Sequence, residues 1–414
     1  MGRNILHVDC NCFYASVEQQ RNPSLRNKAI AVCGLQEDRH GIVLTASYPA
    51  KWKGVKTGMA IWQAKQYCPD LIVVPPDMKE YIRISKYARE IYESYTDQVE
   101  SFGLDEAWLD VTESVGIFGS AMKVAEEISQ RVKDELGITV SIGVSDNKIT
   151  AKLGSDYKKP DAITRIEKDN YEEIVYPLPV EDLLYVGKAT AKKLRSVGIL
   201  TIGDLAQASE DSLKHRLGKM GLVLSTFARG QDSTPVQRTD HIRTIKSVGN
   251  SSTTPRDLKN IDDVHLMFIL LAESVCSRLR ELASKCTVVE ISIRDIKLQT
   301  FTRQQTIPIP TCSSLEMARV ALEIFKANYR WTHPIRSIGI RGSGLVENLP
   351  YSQMSLFLDE NRRQKQEILD GTMDRIRSRY GYQSIHRATV YTDPLLSGVN
   401  PKEHVVHPIG FFGM

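Results

Sequence analysis

The stretch SFGLDEAWLDV (101–111) sets two adjacent carboxylates, Asp105 and Glu106, between two strongly apolar segments. A buried carboxylate without compensation is costly, so each must be paired, hydrogen-bonded, exposed or bound to a metal. A polar turn facing water is the ordinary fate of such a pair. A third acid, Asp9, ends the apolar run NILHVD (4–9), and an Asp at that place can equally cap a following helix. Together, three acids on neighbouring strands of one sheet suit a two-metal phosphoryl-transfer centre. Mg2+ takes oxygen ligands, usually one or two carboxylates with substrate phosphates and water. Two such ions about 3.5–4 Å apart stabilise both the attacking and the leaving oxygen. Groups suited to a triphosphate are also present. Tyr48, Lys51, Lys53 and Lys56 share one short Gly-containing stretch, and Lys158-Lys159 precedes Pro160. Phosphate oxygens need such cations around them; a solvated lysine face is the alternative, preferred for Lys53 and Lys56.

The elements that must position these residues are legible from periodicity. Phe13, Val17 and Gln20 follow helical spacing until Asn22-Pro23 breaks it. Residues 29–34 and 41–47 read as strands. Apolar residues at 81, 84, 88, 91, 92 and 95 predict an amphipathic helix. A hairpin follows over 98–103 and 107–112, with Asp105 and Glu106 near its turn, then a helix over 119–136 and a strand over 138–145. Strand, helix, two strands, helix, strand is the order of a split βαβ motif. There the first strand neighbours the hairpin, so Asp9 is expected beside Asp105 and Glu106, with residues 11–75 as an excursion.

Further on, residues 180–207 read as two short helices around a Gly turn at Gly187-Lys188. Backbone N–H groups of such a turn can hold a phosphate oxygen without reading base sequence; a hairpin packed for structure alone is the alternative. DSTPVQRTD (232–240) reads as a linker. Beyond it, a helix (264–284), a strand (287–296), a helix (314–332) and a strand (335–345) predict a compact α+β module. After 346 come QMSLFLDE, an Arg- and Lys-rich helix, and residues 391–414 without a pattern.

Composition sets the frame. The 414 residues suggest two to four domains at about 150 residues each. Hydrophobic content of 42% and charged content of 25% are ordinary for globular protein. No apolar run reaches the roughly 18 residues of a membrane span, and the N-terminal apolar stretch is too short for a secretory signal. Seven cysteines without a C-x-x-C pair fit reduced thiols and a cytoplasmic location. Of the net charge of +4, residues 238–345 carry 16 Lys/Arg against 10 Asp/Glu, or +6, leaving −2 elsewhere. A basic module on a near-neutral body suits a polyanionic partner, as would any solvated basic surface.

The chain resembles a Y-family (translesion) DNA polymerase, near the bacterial DNA polymerase IV and UmuC group. The stretches that carry the resemblance are HVDCNCFYASVE, TASYPAKWKGVKTGM, SFGLDEAWLDVT, VSIGVSDNKITAKLGSDYKKPDAI and FARGQD, in order, within residues 4–345. It implies an α+β, multidomain right-hand polymerase. A ferredoxin-like palm would take residues 1–10 and 76–165, small fingers 11–75, and a helical thumb with helix–hairpin–helix 166–232. A linker (233–240), an α+β little finger (241–345) and a tail (346–414) would follow. By the same resemblance Asp9, Asp105 and Glu106 are the catalytic carboxylates of a site for two Mg2+ ions, joined by the backbone carbonyl of Cys10. Tyr14 matches the steric gate against a ribose 2′-OH, with Phe13 beside it under the sugar. Thr45, Tyr48, Lys51 and Lys159 match triphosphate contacts, and Gly187 and Lys188 match the DNA-binding turn.

Three positions depart from the family pattern. Lys51 stands where many members have Arg, replacing a bidentate clamp by a point charge. Gly103-Leu104 precedes the acids where Ile or a similar residue is common. Tyr185 occupies the first glycine position of the hairpin turn. QMSLF (353–357) resembles a bacterial sliding-clamp peptide anchored by Gln353, Leu356 and Phe357.

The activity implied is template-directed addition of dNTPs to a primer 3′-OH, with low fidelity, in DNA repair and damage tolerance. The partners implied are primer–template DNA, dNTP and the bacterial clamp, acting on a cytoplasmic monomer without membrane attachment. A non-catalytic DNA-binding repair scaffold is the rival, but it would not need the acid trio. A nucleotidyl cyclase, the other rival, would need neither thumb nor clamp peptide.

Overall fold

The computed structural model describes residues 2–34, 41–241, 244–348 and 359–398. In chain order its strands are β1 (Ile5–Cys10), β2 (Ile30–Cys33), β3 (Val43–Ala46), β4 (Ile72–Val74), β5 (Val99–Phe102) and β6 (Glu106–Asp110). They continue with β7 (Val140–Ser145), β8 (Ile163–Arg165), β9 (Ser247–Leu258), β10 (Ser284–Asp295), β11 (Thr300–Thr311) and β12 (Ile335–Glu347). The chain divides into two compact units, whose described parts are residues 2–34 with 42–241, and Gly41 with residues 244–348 and 359–398.

In the first unit a five-stranded sheet runs β5-β6-β1-β7-β8. β1 is central and buried throughout, antiparallel to both neighbours. Side chains alternate across a strand, and here the alternation decides the chemistry. Leu6, Val8 and Cys10 join a core that includes Ile84 and Ile91 of the helix Met78–Glu93 and Val124 and Ile128 of the helix Ala121–Arg131. On the other face Ile5 packs with Ala151 of the helix Lys148–Tyr157, and His7 and Asp9 meet that same helix. Its close seating depends on Gly143 of β7, where a Cβ would lie 1.8 Å from the carbonyl oxygen of Ala151.

A small sheet, β3-β2-β4, covers part of the excursion after β1, with Ala31, Cys33, Val43, Ala50 and Ala64 in its core. β4 runs parallel to β2; three residues are too few to show a period. Short helices between Tyr171 and Ala228 gather around Val175, Leu194, Leu205, Leu213 and Leu224. The polar stretch 232–240 is held against the sheet. Val236 is buried with Trp108, Gln237 N–H donates to Glu100 (3.0 Å), and Thr239 N–H donates to the Asp97 carbonyl (2.9 Å).

In the second unit the sheet β11-β10-β12-β9 packs against the helices Ile261–Glu281 and Ser314–Asn328. Periodicity revealed both helices, β10 and β12, but not β9 or β11, whose residues are largely polar. Val390 and, from the stretch without a pattern, Leu396 are also buried in this core. The helix Glu360–Tyr380 is tied down by charge. Glu273 is bound by Arg377 (2.8 Å) and Arg387 (2.9 Å), and Asp370 meets Arg387, Arg280 (3.6 Å) and the Ser314 N–H (2.8 Å). Gln353, Leu356 and Phe357 lie outside the described residues. Among the described residues no helix is long and apolar enough to cross a membrane.

Candidate active site

The register of β1 against β6 sets Asp9 directly opposite Glu106. Glu106 and Trp108 alternate onto the face that Asp9 and His7 share, while Ala107 and Leu109 enter the opposite core. Asp105 sits in the turn between β5 and β6, where Gly103 (φ +88°) takes a conformation that strains any other residue. The unusual Gly103-Leu104 pair thereby supplies the tight turn. The turn is pinned: Cys10 N–H donates to the Asp105 carbonyl (2.9 Å), and Ser85 Oγ donates to the Leu104 carbonyl. Three acids separated by about a hundred residues are thus gathered at one end of two strands.

Their electrostatics differ. Burial, then Glu106 and Asp9, push the Asp105 carboxyl up to about 7. For Glu106 burial acts upward too, but His7 and Lys152 hold it below the usual carboxylate range. His7 is fully buried, with Nε2 3.3 Å from Glu106 Oε2 and Nδ1 2.7 Å from Ser155 Oγ. Burial, followed by Lys152, lowers its affinity for a proton. Nε2 thus faces the Glu106 carboxylate, and Nδ1 faces the Ser155 hydroxyl, whose single proton also serves the Lys152 carbonyl (2.8 Å). The Cys10 thiol is raised by burial and by Asp105, which leaves the Cys10 carbonyl as the group suited to a hard ion.

The helix Lys148–Tyr157 carries a ladder of charges at intervals of four. Lys148 pairs with buried Glu100 (2.6 Å). Lys152 Nζ lies 3.3 Å from Asp9 Oδ2, 2.9 Å from Glu106 Oε2 and 3.1 Å from Asp156 Oδ2. Lys159 Nζ lies 2.7 Å from Asp9 Oδ2 and 2.8 Å from Asp156 Oδ1. Burial opposes the charge of Lys159, but Asp9 and Asp156 hold its ammonium above the usual range. Sequence reasoning found Lys159 and missed His7, Lys152, Ser155 and Asp156. The available signal was Lys148, Lys152 and Asp156 at i, i+4, i+8 in a helix whose remaining residues are mostly apolar or small.

Tyr14 stacks on Tyr81, with ring centroids 4.3 Å apart and planes 12° apart, and Phe13 lies behind it at 5.7 Å. Tyr81 is fixed in turn by donating to Glu18 (2.7 Å). Thr45 stands on β3, and Tyr48 and Lys51 on the short helix that follows, with the ammonium 5.1 Å from the Tyr48 ring centre. Burial raises the Cys12 thiol, while Lys51, Tyr48 and Lys159 act on it in the opposite sense. Lys53 is occupied by Asp70 (2.7 Å). Gly187 is the N-cap of the helix Lys188–Arg195. Tyr185, in the first glycine position, takes φ +72°, so the turn keeps a glycine-like backbone at a conformational cost.

Among the described residues no three His, Cys, Asp or Glu side chains are gathered closely enough to cage an ion alone. The donor set still fits Mg2+, which binds through few carboxylates and completes its shell with phosphate and water. Asp9 and Glu106 both present oxygen to the single Lys152 ammonium, so one cation position is common to both.

Three family models match the chain. The impB/mucB/samB family covers residues 8–156, the impB/mucB/samB family C-terminal domain covers 245–356, and the DNA polymerase-iota thumb domain covers 181–232. The chain is 52% identical over 393 residues to DNA polymerase IV of Acetivibrio thermocellus, covering 95% of this chain and 98% of the relative. It is 40% identical to DNA polymerase IV 1 of Bacillus subtilis, covering 93% and 92%. A solved Y-family DNA polymerase chimera matches with a TM-score of 0.74 at 25% identity, over 83% of this chain and all of that one.

Proposed function

The chain belongs to the impB/mucB/samB family, the Y-family DNA polymerases of the bacterial polymerase IV kind, and on that premise we propose how its own residues carry out the reaction. It is a translesion DNA polymerase acting on primer–template DNA and nucleotide, and its family uses divalent metal. The reading of the site is that Asp9, Asp105, Glu106 and the Cys10 carbonyl hold two Mg2+ ions. Bound there, the ions would activate the primer 3′-hydroxyl and neutralise the departing pyrophosphate. The observation that carries this reading is the cross-strand pairing of Asp9 with Glu106, with Asp105 in the adjoining turn. Lys159, Lys51, Tyr48 and Thr45 would hold the triphosphate, orienting its α-phosphorus for in-line attack. Extension of a primer on undamaged template in Mg2+ tests the assignment; absence of product from folded protein overturns it.

Residues 1–10 with 76–165 would serve as palm, 11–75 as fingers, 166–232 as thumb and 241–345 as little finger. Residues 233–240 would connect them, on a cytoplasmic monomer. Gly187 and Lys188 would hold a DNA phosphate through backbone N–H groups.

Tyr14 is assigned as the sugar filter. Its stack on Tyr81 supports this, because a ring excludes a 2′-hydroxyl only if it cannot swing away. Tyr14→Ala should raise the ratio of rNTP to dNTP incorporation by about a hundredfold, the discrimination of a steric clash worth about 3 kcal/mol. An unchanged ratio would make Tyr14 a packing residue.

QMSLF is assigned to the sliding clamp. DNA affinity through phosphates weakens as salt rises, whereas tethering to a ring around DNA makes rebinding intramolecular. Deleting 353–357 should leave single-nucleotide insertion intact and shorten products about tenfold with loaded clamp. Leu356 and Phe357 should matter most, since apolar anchors dominate small interfaces. Equal response of parent and deletion variant to clamp would make the segment a plain connection.

A further inference from the structure

We propose that Lys152 is a resident counter-cation, a positioning residue that holds Asp9 and Glu106 in place of a metal ion until the ion arrives. This rests on the reading of those two acids as metal ligands. Like charges directly opposite on neighbouring strands repel, and Asp9 is only 6% exposed, so water screens little of that repulsion. Two such acids would splay or take up protons, and either response dismantles a site that must keep its geometry. The Lys152 ammonium answers this at one point. It has three N–H donors, and three carboxylates, on Asp9, Glu106 and Asp156, stand within 3.3 Å of it.

The backbone commits the ammonium to that place. Gly143 lets the helix Lys148–Tyr157 approach β7 to backbone contact, and one turn earlier Lys148 locks the same helix face to Glu100. Lys152 is therefore delivered by a rigid element, at 12% side-chain exposure. Asp156 gives the device its reversibility. It is shared by Lys152 and Lys159 and is half open to solvent. When ions take Asp9 and Glu106, both lysines keep Asp156 as a partner, and Lys159 is freed toward the triphosphate. A salt bridge serving the fold alone would be lost equally with and without metal. A counter-cation competes with metal, and that difference is measurable.

The test is binding of Mn2+ alone to the full-length chain, without DNA or nucleotide, read by electron paramagnetic resonance, together with melting temperature in chelator and in Mn2+. Lys152→Met and Lys152→Gln should bind Mn2+ about tenfold more tightly than the parent, since a unit charge about 4 Å away no longer opposes the ion. Both should melt below the parent in chelator and recover most of that difference in Mn2+, while Lys152→Arg should match the parent. Unchanged or weaker Mn2+ binding in Lys152→Met overturns the proposal, as does a failure of both neutral variants to fold even in Mn2+. Asp9→Asn separates the two readings. If it weakens Mn2+ binding while Lys152→Met leaves it unchanged, the ligand assignment stands and the counter-cation falls. If Asp9→Asn binds as the parent does, the ligand assignment itself falls.

Discussion

Asp105→Ala is expected to lower primer extension by about a thousandfold or more, the loss of several kcal/mol of charge stabilisation at the reacting centre. Primer–template binding should stay close to that of the parent, because the side chain sits among carboxylates and offers nothing attractive to phosphate. The same substitution should not destabilise the fold. Burial, with Glu106 and Asp9 beside it, raises the Asp105 carboxyl from 3.8 to about 7. An acid raised on folding costs stability as pH climbs through that window, because the folded state must then surrender a proton it holds more tightly than the unfolded chain does. In metal-free buffer the variant should therefore melt at or above the parent, with an advantage that grows between pH 4 and 7. Robust extension by Asp105→Ala in Mg2+ would remove the metal assignment. A variant that melts well below the parent at pH 8 would contradict the electrostatic account.

Lys148→Met carries the largest expected effect on stability. The ammonium and the Glu100 carboxylate are 2% and 4% exposed and 2.6 Å apart. The lysine also lies 4.8 Å from the centre of the Trp108 ring. Removing one partner of such a pair leaves a charge in a medium that solvates it poorly, at a cost of about 3–5 kcal/mol. Glu100 also accepts the Gln237 N–H, so the stretch 232–240 should loosen with the pair. Replacing both partners, as in Lys148→Met with Glu100→Leu, should recover part of the loss, because no charge is left buried although the Gln237 N–H loses its acceptor. Urea unfolding of the three chains measures this. A loss below about 1 kcal/mol in the single variant would mean that water reaches Glu100.

Legibility in the sequence followed the kind of force at work. The helix at Met78–Glu93 was visible because its apolar residues recur at helical spacing. The hairpin was visible because the short stretches Val99–Phe102 and Glu106–Asp110, each carrying bulky apolar residues, are parted by Gly103 and Asp105. β9 and β11 were not: β11 buries few of its residues, so alternation has little to write into its sequence. Arg377, in the helix read only as rich in Arg and Lys, and Arg387 beyond it bind buried Glu273 from more than a hundred residues away. Charge alone cannot distinguish a wet arginine from one paired in a core. The linker reading of 232–240 missed Val236 for a similar reason, since one apolar residue has no period.

By itself the sequence determined which chemical groups the chain offers: three acids beside apolar stretches, a tyrosine after the first of them, and lysines of the kind a triphosphate needs. It also determined the order of strand and helix that brings Asp9 to the hairpin, because hydrophobic alternation is local and survives in a linear string. Only the tertiary structure decided that Asp9 faces Glu106 while Asp105 lies in the turn, because register depends on pairing between distant strands. Only it decided that Lys152 sits between the acids, because that placement requires a helix to close on Gly143 at backbone distance. A one-residue slip of β1 would have sent Asp9 into the apolar core and left Lys152 with a single carboxylate strand beneath it.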